Sequence, residues 1–353
     1  MLYWLYRQIL LSEPAIPPRL PILAPKRQHV LTPSPSHDNL HATAKSAFFQ
    51  QLPLELRRHI YIAAFGKRTI HMDLRFDYPE PPGLRHARLK GDCMHERERS
   101  ELARWRWWSS VCHRNPLLEC WLDQCRTGEN NATCFLFPGE WPDKCFLGVM
   151  GWLLACRQAY LEGLDVLYST NTVHLSSIVL TRHLPLLILP QRLVSITSLE
   201  LLWDLVLFRP LPDHQADQET GWPAYQALVL VVASAFPNLR KLHISIQTGS
   251  YVAKPFAEYI ESHERKLLDP IDEMVRKIGP QLQDCQIALP YSLHTALLPR
   301  AESVGARVES GGRGALSWRQ FWRSVTAEQD EQSQSDLGYW VRRGVDDMPL
   351  TCS

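Results

Sequence analysis

The chain has 353 residues, 45% of them apolar and 21% charged, with a formal net charge of +1. That length and apolar content support a sizeable core, and the near-neutral balance supplies no global field toward nucleic acid or anionic lipid. Twelve tryptophans, with 26 prolines and only 17 glycines, exclude a collagen-like or wholly disordered chain.

The opening residues 1–11 are apolar but interrupted by Arg7, with no basic leader and no small-residue cleavage site. They also fall short of the roughly 20 residues that span a bilayer. The longest later apolar run, 227–236, stops at Pro237. No membrane association is expected, the sequon at Asn131 carries little weight, and a cytoplasmic or nuclear location follows. Seven of the nine cysteines crowd into residues 93–156. Structural zinc sites bring ligands in pairs two to four residues apart. Here no C-x-x-C pair occurs, and His95 and His113 complete a set only through long-range folding. Buried or free thiols are expected.

Residues 12–46 carry seven prolines, a density that forbids helix, so residues 1–47 read as a disordered Pro-rich arm. Order begins near Phe48. Between Pro53, suited to a first turn, and Gly66, suited to the position past the end, Leu52, Leu56, Ile60 and Ala64 recur every fourth residue, with Arg57 and Arg58 opposite. This is an amphipathic helix. A strand is expected over 69–74. Residues 85–106 interleave arginines with Trp105, Trp107 and Trp108, a pattern shared with nucleic-acid surfaces. The interspersed Glu96, Glu98 and Glu101 favour a solvated helix with tryptophans at its buried end, so no nucleic-acid partner is expected. The stretch 76–148 as a whole reads as an irregular Cys/Trp-rich insertion.

A second helix is predicted over 151–168, with Leu153, Cys156, Tyr160, Leu164 and Leu167 on one stripe. A strand follows at 172–175. Further strands are predicted at 193–203, 239–246 and 285–289, separated by helices over 222–236 and from Asp269-Pro270 to Ile278. Near the C-terminus, Ser317 caps an expected short helix carrying Trp318, Phe321, Trp322 and Val325. Residues 328–336 read as disordered, and 337–343 as an edge strand. The fold class is α+β: N-terminal amphipathic helices plus a small, mostly parallel or mixed, curved sheet with βα crossovers, faintly leucine-rich-repeat-like. Residues 48–350 form a single domain.

No nucleotide-binding, nucleophile-elbow or zinc-protease signature is present. His71 and Asp73 share one face of a strand, where cross-strand pairing is expected ahead of metal binding. The adjacent pairs His95-Glu96 and Cys112-His113 point apart. No catalytic, cofactor-binding or metal residue is assigned, no cofactor is expected, and the chain is read as non-enzymatic.

Leu52-Pro53-x-Glu55-Leu56-x-x-x-Ile60 resembles the opening of an F-box. Together with Cys156-Arg157-Gln158-x-Tyr160-x-Glu162-x-Leu164 and its continuation to Asn171-Thr172, it more closely resembles a large fungal group of unknown function with an F-box-like start. That resemblance covers about 48–75 and 150–205. It implies an interaction role, with the linker subunit of a ubiquitin ligase as partner for Leu52, Pro53, Leu56 and Ile60. Two arrangements of the helix are open. Its apolar face packs on the second helix, which the matching stripe lengths favour, or it faces a partner's groove. The competing functions are an interaction domain without ubiquitin, binding an unknown protein partner, or an enzyme with no recognisable motif.

Overall fold

The computed structural model describes residues 19–24, 46–77, 104–113, 138–139, 143–176, 178–204, 222–247, 264–311, 318–325 and 337–344. In chain order the elements are α1 (Ala47–Gln51), α2 (Leu54–Phe65), β1 (Thr69–Asp77), β2 (Arg104–Val111), α3 (Val149–Leu153), α4 (Arg157–Ser169), β3 (Thr172–Leu175), α5 (Ile178–Leu187) and α6 (Pro190–Ser195). There follow β4 (Ser198–Asp204), α7 (Trp222–Ala235), β5 (Lys241–Gln247), α8 (Glu264–Ile278), β6 (Asp284–Leu289), α9 (Tyr291–Ser303), β7 (Val308–Gly311), β8 (Trp318–Ser324) and β9 (Gly338–Arg343).

The strands form one mixed, open sheet in the order β2-β1-β3-β4-β5-β6-β9-β8-β7. From β1 through β3, β4, β5, β6 and β9 the pairing is parallel, and β2, β8 and β7 add antiparallel margins. The steps β3 to β6 always advance in one direction, so right-handed crossovers put the connecting helices on one face. Period-two alternation gives that face its core. Leu175, Leu201, Ile244, Ile287 and Val341 stand in one register row. They pack with Leu228 and Val232 of α7, Ile271 and Val275 of α8, and Leu293 and Leu297 of α9. Each such aliphatic side chain stabilises the fold by about 1.5–3 kcal/mol.

The structure differs from the sequence reading at several elements. Part of the expected irregular insertion, and of its helix, is the strand β2: arginine and tryptophan alternate over 104–107, and Trp105 meets Phe76 at 5.5 Å between ring centroids. The expected helix at 317–325 is β8, with Phe321 in the core and Gln320 opposite Arg342. Residues 338–343 lie inside the sheet, between β6 and β8, because antiparallel β7 and β8 extend it further. The helix expected to open at Pro270 starts at Glu264. The continuous stripe Leu267, Leu268, Ile271, Met274, Val275 and Ile278 carries it through a proline that removes one backbone bond. The second helix breaks into α3 and α4 where extended Cys156 accepts a hydrogen bond from the Ala159 N–H at its sulfur. The first residues of the strand expected over 193–203 are α6 instead. The expected arm is partly docked: Leu20 packs on the main core, and the Leu23 N–H donates to the Leu186 carbonyl at 2.9 Å. Residues 1–11, 85–103, 312–317 and 328–336, and the sequon, lie outside the described residues.

In α9, His294 is 4% exposed and stacks on Phe321 at 6.0 Å. Burial, with Arg343 and Arg319 nearby, lowers its pKa from 6.5 to about 4. The folded state therefore resists a proton that the unfolded chain accepts near pH 6.5. The stabilisation is complete above pH 6.5 and is lost as pH falls through that value toward 4. Urea midpoints should fall across this window, and a His294→Gln variant should lose less of its stability over the same interval.

Candidate interaction surface

The two resembling motifs meet in space. α2 turns Arg57, Tyr61 and Phe65, spaced four apart, toward α4. Glu162 of α4 receives both Nε and Nη2 of Arg57, at 2.9 and 2.8 Å. It also accepts the Tyr61 hydroxyl at 2.8 Å and the Gln158 amide at 2.9 Å. The remaining Arg57 nitrogen, Nη1, donates to the Leu52 carbonyl at 2.6 Å. A guanidinium so surrounded can be buried because its charge is paired and its N–H groups are used.

Burial pushes the Glu162 carboxyl up, but the hydrogen bonds from Arg57, Gln158 and Tyr61 outweigh it and hold it below the ordinary carboxylate range. Burial first, then the bond to Glu162, drives the Tyr61 hydroxyl well above its usual value. Around this polar clamp, Tyr61 packs against Phe48, Phe65 and Trp152 at ring separations of 5.7, 5.9 and 5.5 Å. Asn171, fully buried, closes the unit: its amide donates to the carbonyls of Phe65 and Leu167, and its oxygen accepts the Arg68 N–H.

This rotation of α2 reverses the arrangement that matching stripe lengths favour. Arg57 is inside, and the apolar residues expected to pack on the second helix are outside. Leu56 is 49% exposed and Ile60 44%. Pro53, the residue before the helix, is exposed, and Leu52 is half-buried. The physical reason is that Tyr61 and Phe65 bury more apolar surface than Leu56 and Ile60 would, and Glu162 removes the cost of burying Arg57. Positions 56, 60 and 63 lie one above another on a helix, so Leu56, Ile60 and Ala63 form a continuous exposed apolar stripe.

The second arrangement lies on the sheet face away from the helical core. His71, His174, Glu200, His243, Gln286, Trp340 and Trp322 occupy one register row. The Nδ1 atoms of buried His71 and His174 are 3.1 Å apart, so one ring donates to the other. Pairing of His71 across strands is thus the observed outcome, and Asp73 is buried on the same face. At the far end Arg342 donates to Gln286 at 2.8 Å, and the Arg307 guanidinium lies 4.6 and 4.9 Å from the ring centroids of Trp340 and Trp322. Such contacts are cation–π interactions. Among the described residues no group of three or more His, Cys, Asp or Glu side chains is placed to hold a metal ion. Nor is any helix there long and apolar enough to cross a membrane.

The sequence reading did not connect these strands into a row. The signal was present: Thr172–Leu175, Leu199–Leu201 and Leu242–Ile244 each interrupt an apolar run with one polar residue at the alternate position. No curated protein and no solved structure matches the chain. A family profile matches residues 41–304, which carry α2, the clamp and the parallel sheet through β6, and the chain belongs to that family, a domain of unknown function (DUF7730).

Proposed function

We propose that the protein is a non-enzymatic interaction protein whose α2 stripe docks in a partner's groove, in the manner of an F-box-like adaptor. The partner is the linker subunit of a ubiquitin ligase. The observation that carries this reading is the exposure of Leu56, Ile60 and Ala63 on a helix locked in that rotation by Arg57 and Glu162. An apolar helical stripe with anchors at i, i+4 and i+7 suits helix-in-groove recognition. Pro53 at its start fixes where the stripe begins.

Calorimetric titration of the full chain with the purified linker subunit tests the reading. Micromolar or tighter binding is expected, weakened at least tenfold by Leu56→Asp/Ile60→Asp while circular dichroism stays that of the wild type. Absence of wild-type binding removes the ubiquitin role. Binding unchanged by the double variant removes this stripe as the contact.

A further inference from the structure

We infer that Cys145 is a reactive thiol, activated by His113 and open to covalent modification by small disulfides. This goes beyond the docking role and does not depend on it. Cys145 ends a short 3-10 turn, Asp143–Cys145, and is half-buried. His113 follows β2, is 3% exposed, and places Nδ1 3.7 Å from the Cys145 sulfur. The two residues are 32 positions apart and belong to separate segments. Their meeting is therefore built by the fold: the Cys112 N–H donates to the Thr69 carbonyl at 2.9 Å and fixes the end of β2 beside β1.

A thiol within hydrogen-bond reach of an imidazole can pass its proton to the ring. The thiolate, not the thiol, is the nucleophile, and a neighbouring imidazolium lowers the thiol pKa from about 8.5. With glutathione disulfide as co-reactant the step balances. The Cys145 thiolate attacks one sulfur of the disulfide, a new Cys145–glutathione S–S bond forms as the old one breaks, and the departing glutathione thiolate takes the proton from His113. One protein thiol and one disulfide become one mixed disulfide and one free glutathione, with no other oxidant needed.

Two of the other described cysteines supply internal comparators. Cys156 uses its sulfur to accept a hydrogen bond from the Ala159 N–H. Cys285 is 4% exposed, and burial drives its thiol pKa well above the usual value.

The test treats the full-length chain with iodoacetamide between pH 5.5 and 9.5, and separately with glutathione disulfide at pH 7, and maps modified cysteines by peptide mass. Cys145 is expected to react at least tenfold faster than Cys156 at pH 7 with either reagent, with a rate midpoint below pH 8. In His113→Gln the Cys145 rate should drop about tenfold and its midpoint rise toward 8.5, while Cys285 stays unreactive and so reports an intact fold. Equal rates at Cys145 and Cys156, or a Cys145 profile indifferent to His113→Gln in a folded variant, overturn the inference. If the variant unfolds and Cys285 reacts, the wild-type profile alone decides: a Cys145 midpoint at or above 8.5 overturns it.

Discussion

Replacing Glu162 with alanine should lower the stability of the full chain by about 3 kcal/mol, the scale for removing one partner of a buried ion pair. Glu162 is the common acceptor for Arg57, Tyr61 and Gln158, so its loss leaves a buried guanidinium uncompensated and a buried hydroxyl unpaired. Because the clamp also sets the rotation of α2, the change should reach the exposed stripe and weaken partner binding without touching a stripe residue. The double replacement Arg57→Met/Glu162→Leu removes both charges and should recover at least half of the loss. Urea denaturation of the three chains measures the difference. If Glu162→Ala costs less than about 0.5 kcal/mol, within the range of an exposed ion pair, the clamp does not hold the helix. The nearby Arg58–Asp165 pair, 2.5 Å apart but with both side chains largely exposed, provides that exposed-pair control.

A loss of similar size, about 3 kcal/mol, is expected for Asp272→Ala on the other side of the molecule. Asp272 of α8 is 7% exposed and accepts Nε and Nη2 of Arg323 at 3.0 and 2.8 Å, and the Tyr339 hydroxyl at 2.7 Å. Burial works against the Arg323 charge, yet the bonds to Asp272 outweigh it and raise its pKa. Burial likewise raises that of Tyr339. This carboxylate ties α8 to β8 and β9, two of the three described strands that lie beyond the residues matched by the family profile. Asp272→Asn keeps one acceptor oxygen and should cost less than Asp272→Ala. If the two variants unfold at the wild-type urea midpoint, the C-terminal strands are held by packing alone.

The parallel strands were legible because each is a short apolar run bounded by turn residues, and their spacing already implied one-sided crossovers. The C-terminal margin was not. Trp318, Phe321, Trp322 and Val325 fit helical spacing as well as a strand, and only the antiparallel partners in β7 and β9 decide between them. The orientation of α2 was the more instructive miss. Leu56, Ile60 and Ala64 gave the cleaner apolar period, and Arg57 read as a solvated residue. A distant carboxylate, Glu162, made the charged side the buried one. Glu162 and Asn171 were visible within the second motif and Arg57 within the first helix, but their meaning is pairwise and appears only when α2 and α4 are brought together. The polar row on the sheet face away from the helical core was hidden for the same reason. Each histidine is an ordinary alternation within its own strand, and the row exists only in the register between strands.

The outward rotation of α2 is the claim on which the proposed docking stands, and the stability of Leu56→Asp/Ile60→Asp tests it most directly. With both positions facing water, the urea midpoint of the full-length variant should stay within about 0.5 kcal/mol of wild type, the range of ordinary surface substitutions. A loss of about 3 kcal/mol or more, the scale for burying unpaired charge in a core, would place Leu56 and Ile60 against the second helix and contradict the account.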